Sequence, residues 1–290
     1  MRPSALPKTR DQVLRHLTDP AKPLMAAMGG HNEAGRQVEV STLQTAELYW
    51  VAADMTALAV AAGSQLASAR WASADRPAPS GLIVFDGGIG NFPMNGVDVP
   101  IEAVTWGAHD GDLSISLWLT RARLDEETRQ RGLYELVIDE IPPLIPIIGR
   151  PVPVGAEPVP FAALDPDLPT MVLQTIAATW LLMEQPTLIE RRAEQPDKAT
   201  VRAYGRRQQT APGVTLIDLR RAYVPDQRSE SGTDVAGHRY RHRWVVQGHW
   251  RDQPYGPERA QRRKQWIPAH LKGPDGAPLL KTERVNVWRR

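Results

Sequence analysis

VDVPIEAVTWGAHDGDLSISLWL, at residues 97–119, is the stretch that predicts a β-sheet core most directly. After residue 112, leucines and an isoleucine alternate with two serines and a tryptophan, and a period of two is typical of a strand. Residues 97–105 suit a partner strand, and residues 107–111, which begin and end with glycine, suit a turn between the two. We therefore expect two strands joined as a hairpin.

Upstream of this strand pair, the sequence predicts a long buried helix. Apolar residues recur at three- and four-residue spacing from a candidate N-cap at Ser41 to about Trp71, which is the pattern of one helix face. These apolar positions are Leu48, Val51, Met55, Leu58, Ala62 and Leu66. A shorter helix is expected over 9–17 and a strand over 82–85.

Downstream of the strand pair, nine prolines crowd residues 142–169. Because proline fixes φ and lacks the backbone N–H donor, we expect an extended connector there. Helices are expected over 165–186 and 188–207. Four β-like segments follow, at 214–221, 238–251, 263–272 and 283–290.

These elements predict the α+β fold class and two domains. Residues 1–165 would form an acidic N-terminal domain, helical and mixed α/β, without an assigned role. Residues 166–290 would form a basic module of two helices and a four-stranded antiparallel sheet. Residues 201–290 carry 19 Lys and Arg against 8 Asp and Glu, a net charge of +11, whereas residues 1–200 carry a net charge of −9. Such a cationic segment favours a polyanionic partner.

The composition excludes several classes of site. The 290-residue chain has no cysteine, which rules out disulfides, zinc ribbons, iron–sulfur clusters and a thiol nucleophile. No GxxxxGK[ST] loop, GxSxG elbow or HExxH motif occurs, so we expect neither a metal nor a cofactor.

The longest apolar stretch, 48–62, is shorter than the roughly 20 residues of a membrane span. Since the N-terminus also lacks a signal-peptide core, we expect a cytoplasmic protein without a membrane partner. Homo-oligomerisation stays open.

The segment HRYRHRWVVQGHWR, at residues 238–251, carries the strongest functional signals. As a strand it would place arginines and His249 on one face and aromatic residues on the other. The following DQPYGPERAQRRK adds more arginines, and Trp266 shares a predicted face with Lys264 and His270. Basic side chains that bind phosphates, beside aromatic rings that stack on bases, are the usual basis of single-stranded nucleic-acid binding. The candidate nucleic-acid-binding residues are Arg239, Arg241, Arg243, Arg251, Arg259, Arg262, Arg263, Trp266 and Lys272.

The same segments contain candidates for catalysis. Metal-independent RNA cleavage needs a base for the 2′-hydroxyl, an acid for the leaving 5′-oxygen and cations around the phosphorane. His249 is the candidate base or acid, because it shares a predicted strand face with Arg251 and histidine is the residue type most often used for proton transfer. His270 or Tyr255 is the second proton carrier, and Lys264 would help to hold the phosphate.

A family resemblance covers the C-terminal part of the chain. WVVQGHWRDQPYGPERAQRRKQWIPAHLKGPDGAPLL, followed by VNVWRR, resembles the C-terminal end of a protein family found on actinobacterial chromosomes, plasmids and phages. TWLLMEQPTLIERR is similar to the same family, so the resemblance spans at least residues 170–290, with GHWR, YGP and KGP as its specific words. It implies no activity.

A looser, architectural likeness is to the RelE/barnase-like ribonuclease toxins, which place two helices before a four-stranded antiparallel sheet. This likeness implies metal-free RNA cleavage and an acidic protein partner such as an antitoxin, and it assigns no residues.

Three functions stay open at this point. The first is a metal-independent endoribonuclease of toxin type that acts on RNA. The second is a non-catalytic nucleic-acid-binding regulator of plasmid or phage type, and the third is an interaction protein that docks on an acidic partner. Convergence of His249, His270, Lys264 and Arg251 on one concave patch would favour catalysis, and their scatter would favour binding alone.

Overall fold

The structure, a computed structural model, describes residues 1–19, 33–66, 70–130, 141–154, 158–164, 167–220 and 244–272. The chain divides into two compact units, Met1–Arg221 and Ala222–Arg290. The helices and strands of the described residues confirm the predicted α+β class. None of the described helices combines the length and the apolar character needed to cross a membrane.

Six α-helices occur in the described residues, all of them in the first unit. They are α1 (Leu6–Thr18), α2 (Glu33–Thr45), α3 (Ala53–Gly63), α4 (Arg121–Gln130), α5 (Thr170–Met183) and α6 (Lys198–Gly205). The strands of the first unit are β1 (Glu47–Val51), β2 (Arg70–Trp71), β3 (Gly81–Phe85), β4 (Asn91–Met94), β5 (Val97–Pro100), β6 (Ala103–His109), β7 (Asp112–Thr120), β8 (Leu144–Val152), β9 (Val159–Pro160), β10 (Ile189–Glu194) and β11 (Val214–Leu219). The strands of the second unit are β12 (Trp244–Val246), β13 (His249–Tyr255), β14 (Gln261–Ile267) and β15 (His270–Lys272).

The hairpin expected within residues 97–119 is present as β6 and β7. Asp110 and Gly111 form its two-residue turn, with φ values of 48° and 89°. Left-handed backbone at both positions is the turn geometry whose twist matches that of the flanking strands, and aspartate and glycine tolerate it. The expected first strand is split, because β5 ends at Pro100 and pairs with β4 rather than with β7.

Seven strands form the central sheet of the first unit, in the order β10-β11-β1-β3-β6-β7-β8. β1 runs parallel to both of its neighbours, and the other pairs are antiparallel. Because β11 pairs with β1, strands from both sides of the proline-rich stretch share one sheet. The division between compact units therefore falls after Arg221, whereas the sequence placed the boundary between residues 165 and 166.

The long helix expected over 41–71 is wrong, because β1 lies in the middle of it. Leu48 and Trp50 of β1 are buried in the core beneath α1 and α2. Tyr49 faces the other side of the sheet and stacks on Trp106, with 5.8 Å between ring centroids. An unbroken apolar run satisfies helical spacing and equally suits a strand buried on both faces, so periodicity could not separate the two.

Helices cover both faces of this sheet. α1 and α2 pack on one face, where Leu6, Val13 and Leu43 join the core. On the other face, Trp180 of α5 lies 5.1 Å from Trp106, measured between ring centroids. α3 packs closely against α5, since a Cβ atom at Gly63 would lie 2.9 Å from the backbone of α5.

A buried carboxyl group ties α2 to the sheet. Glu39 is 2% exposed and accepts hydrogen bonds from Thr105 Oγ1 at 2.7 Å and from Ser116 Oγ at 2.5 Å. Trp118 Nε1 donates to the Thr105 hydroxyl at 2.9 Å, which extends the network along the hairpin. Burial raises the pKa of Glu39 above its ordinary value, although the two hydroxyl donors oppose the shift.

Replacing Glu39 with glutamine is expected to reduce the pH dependence of the stability of the first unit. The unfolded chain loses this proton near 4.5, whereas the folded protein keeps it to a higher pH. The folded state therefore binds more protons in that window, and the free energy of unfolding falls as the pH rises from 4.5 through the raised pKa. Urea unfolding of both proteins from about pH 4.5 to about pH 8 measures this, and the difference in stability should move in favour of E39Q as the pH rises. If the difference in the free energy of unfolding between the two proteins stays constant with pH, the pKa of Glu39 is not raised by folding.

The proline-rich connector expected over 142–169 is only partly correct. Its backbone is extended over β8, but β8 belongs to the sheet as the strand at one edge. Pro146 and Pro151 lie within β8, which is tolerated because an edge strand leaves one row of its N–H positions unpaired.

The second C-terminal helix expected over 188–207 is also wrong. Its first part is β10, which pairs antiparallel with β11 at the other edge of the sheet, and its last part is the short helix α6. Asp197 caps α6 by accepting the Thr200 backbone N–H at 2.7 Å, and Pro196 separates the strand from the cap.

The expected four-stranded antiparallel sheet does not form within the described residues. The segment 214–221 belongs to the central sheet, the segment 283–290 lies outside the described residues, and the other two segments form two separate strand pairs. These residues therefore lack the arrangement on which the likeness to RelE/barnase-like ribonucleases rested.

Candidate nucleic-acid interface

Two antiparallel strand pairs, β12–β15 and β13–β14, make up the described part of the second unit. The strand expected over 238–251 is interrupted at Gln247 and Gly248, between β12 and β13. A Cβ atom at Gly248 would lie 2.5 Å from the ring of Trp266, so glycine allows the chain to pass over this side chain. The longer pair, β13–β14, carries most of the described candidate residues.

One face of the β13–β14 hairpin is occupied by packing and by an ion pair. Trp250 and Trp266 are direct cross-strand partners, with ring centroids 5.3 Å apart in an edge-to-face arrangement. Trp266 is 5% exposed, so little of its ring is accessible for stacking on bases. Lys264 lies next to them and its Nζ is 2.8 Å from Asp252 Oδ1, so a carboxylate already balances its charge.

The opposite face carries His249 and Arg251, as strand alternation predicted. His249 is exposed, and its Nδ1 lies 3.1 Å from the carbonyl oxygen of Gln247. Arg251 is half-buried and donates from Nη2 to Gln253 Oε1. Lys264 therefore points away from the face that holds His249 and Arg251.

The end of the hairpin gathers four exposed side chains, Tyr255, Arg259, Arg262 and Arg263, which we call the tip cluster. The Arg263 guanidinium lies over the Tyr255 ring, with its central carbon 5.5 Å from the ring centroid, and Tyr255 is 42% exposed. Arg262 Nη1 donates to the carbonyl oxygen of Arg259 at 3.0 Å. Within residues 244–272, no carboxylate lies within ion-pair distance of these three arginines.

The loop between β13 and β14 brings the tip cluster together. Gly256, Glu258 and Arg259 have φ values of 77°, 51° and 58°, so the chain reverses through left-handed backbone. Left-handed backbone is unfavourable for non-glycine residues, and here it places the Arg259 carbonyl oxygen where the Arg262 guanidinium donates to it. The β-like segments expected from the sequence ended at 251 and began again at 263, so the extension of the strands to Tyr255 and Gln261 and the Asp252–Lys264 pair were missed. The alternation of Trp250, Asp252 and Pro254 along one face was the signal that could have indicated the longer strand.

The remaining candidates are divided between the two strand pairs and the residues outside the described ranges. His270 begins β15, in the other strand pair, and its Nδ1 lies 3.1 Å from the Pro268 carbonyl oxygen. In the described part of the second unit, no hydrogen bond or ion pair joins any two of His249, His270, Tyr255 and Lys264. Lys272 ends β15 and pairs through its backbone with Trp244. The predicted binding residues Arg239, Arg241 and Arg243 lie outside the described residues.

The described residues contain no group of three or more acidic or histidine side chains arranged to hold a metal ion. The chemistry within reach of the tip cluster is therefore that of guanidinium groups and one phenol ring. Guanidinium groups bind phosphate oxygens with paired, charge-assisted hydrogen bonds, and an exposed tyrosine ring can stack on a base.

Comparisons with known proteins bear on this part of the chain. No curated protein matches the sequence. A family model matches fewer than half of the residues, but these include the whole β13–β14 hairpin as well as α5, β10, α6 and β11. The match supports the resemblance to proteins of phage and plasmid type and gives no support to the ribonuclease likeness. Over residues 155–271, the chain is similar to the AcrVA2-like family, which is described as an anti-CRISPR type V subtype A2 family.

Proposed function

We propose that this protein acts in a nucleic-acid pathway by binding single-stranded RNA without cleaving it, with the tip cluster as the contact surface. The observation that carries this proposal is the presence of three exposed arginines and Tyr255 at the end of one hairpin, with the Arg263 guanidinium over the Tyr255 ring. Paired hydrogen bonds from arginine suit phosphates, and the neighbouring ring suits an unstacked base.

The positions of the histidines favour binding over the endoribonuclease activity that the sequence suggested. A general acid and a general base must both reach one scissile phosphate, within hydrogen-bond distance of the atoms they protonate or deprotonate. His249 and His270 belong to different strand pairs, and Lys264 lies on the face of the hairpin opposite His249. Metal-independent cleavage through these residues stays a prediction.

The family match supports a choice of pathway. Its description names an anti-CRISPR type V subtype A2 family. CRISPR effector complexes carry a guide RNA, which offers a phosphate backbone to an inhibitor. The proposed role is therefore that of a phage-type protein that interferes with a CRISPR system through RNA contacts.

Binding of a short single-stranded RNA is expected to weaken with salt. If the tip cluster neutralises about three phosphates, the affinity should fall roughly 20-fold between about 50 and about 200 mM salt. Fluorescence anisotropy with a labelled oligoribonucleotide measures this dependence in the full-length protein. An absence of binding at the lowest salt would overturn the proposal.

Two controls separate the alternatives. Incubation of the RNA with the protein and EDTA should leave it intact, and cleavage that His249→Ala abolishes would instead restore the endoribonuclease prediction. Polyglutamate serves as an acidic peptide, and displacement of the RNA by polyglutamate at equal charge concentration would favour an acidic protein partner over RNA.

A further inference from the structure

A polar cleft lies in the first unit between α1 and the end of α6. It is open to the surface and has a volume of about 290 Å³, just below the roughly 300–1,000 Å³ range of small-molecule sites. We call it the α1–α6 cleft, and its lining residues are Arg10, Asp11, Leu14, Arg15, Thr18, Gln44, Tyr204, Arg207 and Gln209.

Hydrogen bonds hold the floor of this cleft in place. Tyr204 is 5% exposed, and its hydroxyl donates to Asp11 Oδ1 at 2.7 Å and accepts from Arg10 Nη2 at 2.9 Å. Arg207 Nη1 lies 3.2 Å from Asp11 Oδ2, so Asp11 is shared by one phenol and two guanidinium groups. The side chains of Arg10 and Asp11 are only 12% and 15% exposed.

The cleft has a surplus of positive charge. Its lining contains the guanidinium groups of Arg10, Arg15 and Arg207 and a single carboxylate, that of Asp11. Arg207 is half exposed, and within the described residues Arg15 is held by a long contact of 3.4 Å between its Nε and the Asp11 carbonyl oxygen. These two guanidinium groups can turn toward a ligand while Arg10 and Tyr204 keep the floor rigid.

The charge and size of the cleft select a class of ligand. A phosphomonoester carries about −1.5 to −2 charges at neutral pH and three strong acceptor oxygens, whereas a phosphodiester carries one charge. Two formal positive charges remain in the cleft after Asp11 is counted, which matches the monoester. The side-chain amides of Gln44 and Gln209 supply further neutral donors at its rim.

We propose that the α1–α6 cleft is a binding site for a phosphomonoester group, held by Arg15 and Arg207 above the Arg10–Tyr204–Asp11 floor. The group can belong to a free nucleoside monophosphate or to the 5′-terminal phosphate of an RNA. This site is built from residues of the first unit alone, so the proposal stands whether or not the tip cluster binds RNA.

The test uses the full-length protein and adenosine 5′-monophosphate in isothermal titration calorimetry. Saturable binding is expected, with weaker binding of 3′,5′-cyclic AMP and none of adenosine. Arg207→Gln and Arg15→Gln should each weaken the affinity about tenfold, since each removes a charge-assisted hydrogen bond. Arg206→Gln is the matched control, because Arg206 is the exposed neighbour in sequence, does not line the cleft, and should leave the affinity unchanged.

The outcomes distinguish the two sources of the phosphate from each other, and they also show whether the proposal fails. A 5′-phosphorylated oligoribonucleotide that outcompetes its 5′-hydroxyl form, with an advantage lost in Arg207→Gln, assigns the site to RNA ends. Equal competition by the two forms, with AMP binding intact, assigns it to free monophosphates. No AMP binding, equal binding of AMP and cyclic AMP, or equal losses in Arg206→Gln and Arg207→Gln would overturn the proposal. Melting curves of each variant confirm that the fold is kept.

Discussion

Replacing Arg259, Arg262 and Arg263 together with glutamine is expected to lower the affinity for single-stranded RNA by about 10³-fold. Each arginine removed takes away one charge-assisted contact, worth roughly 1.5 kcal/mol or more, and a factor of ten corresponds to about 1.4 kcal/mol. The slope of log K against log salt should also become shallower by about 2, because three fewer phosphates are neutralised. Anisotropy titrations of wild type and variant at several salt concentrations give both quantities.

A triple variant elsewhere in the chain controls for net charge. Arg129, Arg191 and Arg192 are exposed arginines of the first unit, and each is paired with a carboxylate. Their replacement by glutamine changes the net charge by the same amount and should leave the RNA affinity within about twofold. If both triple variants lose affinity equally, binding follows total charge, and the tip cluster is not the contact surface.

Trp180→Ala is expected to destabilise the first unit by about 3–5 kcal/mol, the usual cost of truncating a buried tryptophan. Trp180 is 0% exposed and its ring lies 5.1 Å from both Trp71 and Trp106, so truncation opens a cavity where α5 meets the sheet. Since domains are stable by only about 5–15 kcal/mol, this change removes a large share of the folding free energy.

Urea denaturation followed by far-UV circular dichroism measures the effect of Trp180→Ala. Met171→Ala is the matched control, because Met171 lies on the same helix and is 55% exposed. The control should change stability by less than about 0.5 kcal/mol. Similar midpoints for the two variants would show that the aromatic contacts around α5 contribute little.

The elements predicted correctly from sequence are those that depend on neighbours along the chain. The β6–β7 hairpin follows from alternation over 113–119 and from Asp110-Gly111, which tolerate the backbone of a two-residue turn. α1, α5 and β3 likewise carry their own periodicity, with turn or proline signals nearby.

The elements predicted wrongly depend on partners that are distant in sequence. β1 is a strand because β3 and β11 flank it, the latter more than 150 residues away, and its apolar run alone equally suits a helix. β10 is a charged strand at the edge of the sheet because β11 pairs with it, and its isolated pattern resembled a helix. β8 is part of the sheet despite its prolines because the edge position leaves their missing N–H groups without consequence.

For the candidate interface, the sequence alone determined the charge surplus of residues 201–290 and the residue types that a phosphate contact needs, because composition is independent of folding. Only the tertiary structure decided which of these side chains act together. Cross-strand register buries Trp266 against Trp250 and pairs Lys264 with Asp252, which withdraws both from the surface that we propose contacts RNA. The left-handed loop between β13 and β14 leaves Tyr255, Arg259, Arg262 and Arg263 exposed at one tip. The physical reason is that strand pairing and register set the face of every side chain, and both are settled by contacts between segments rather than within them.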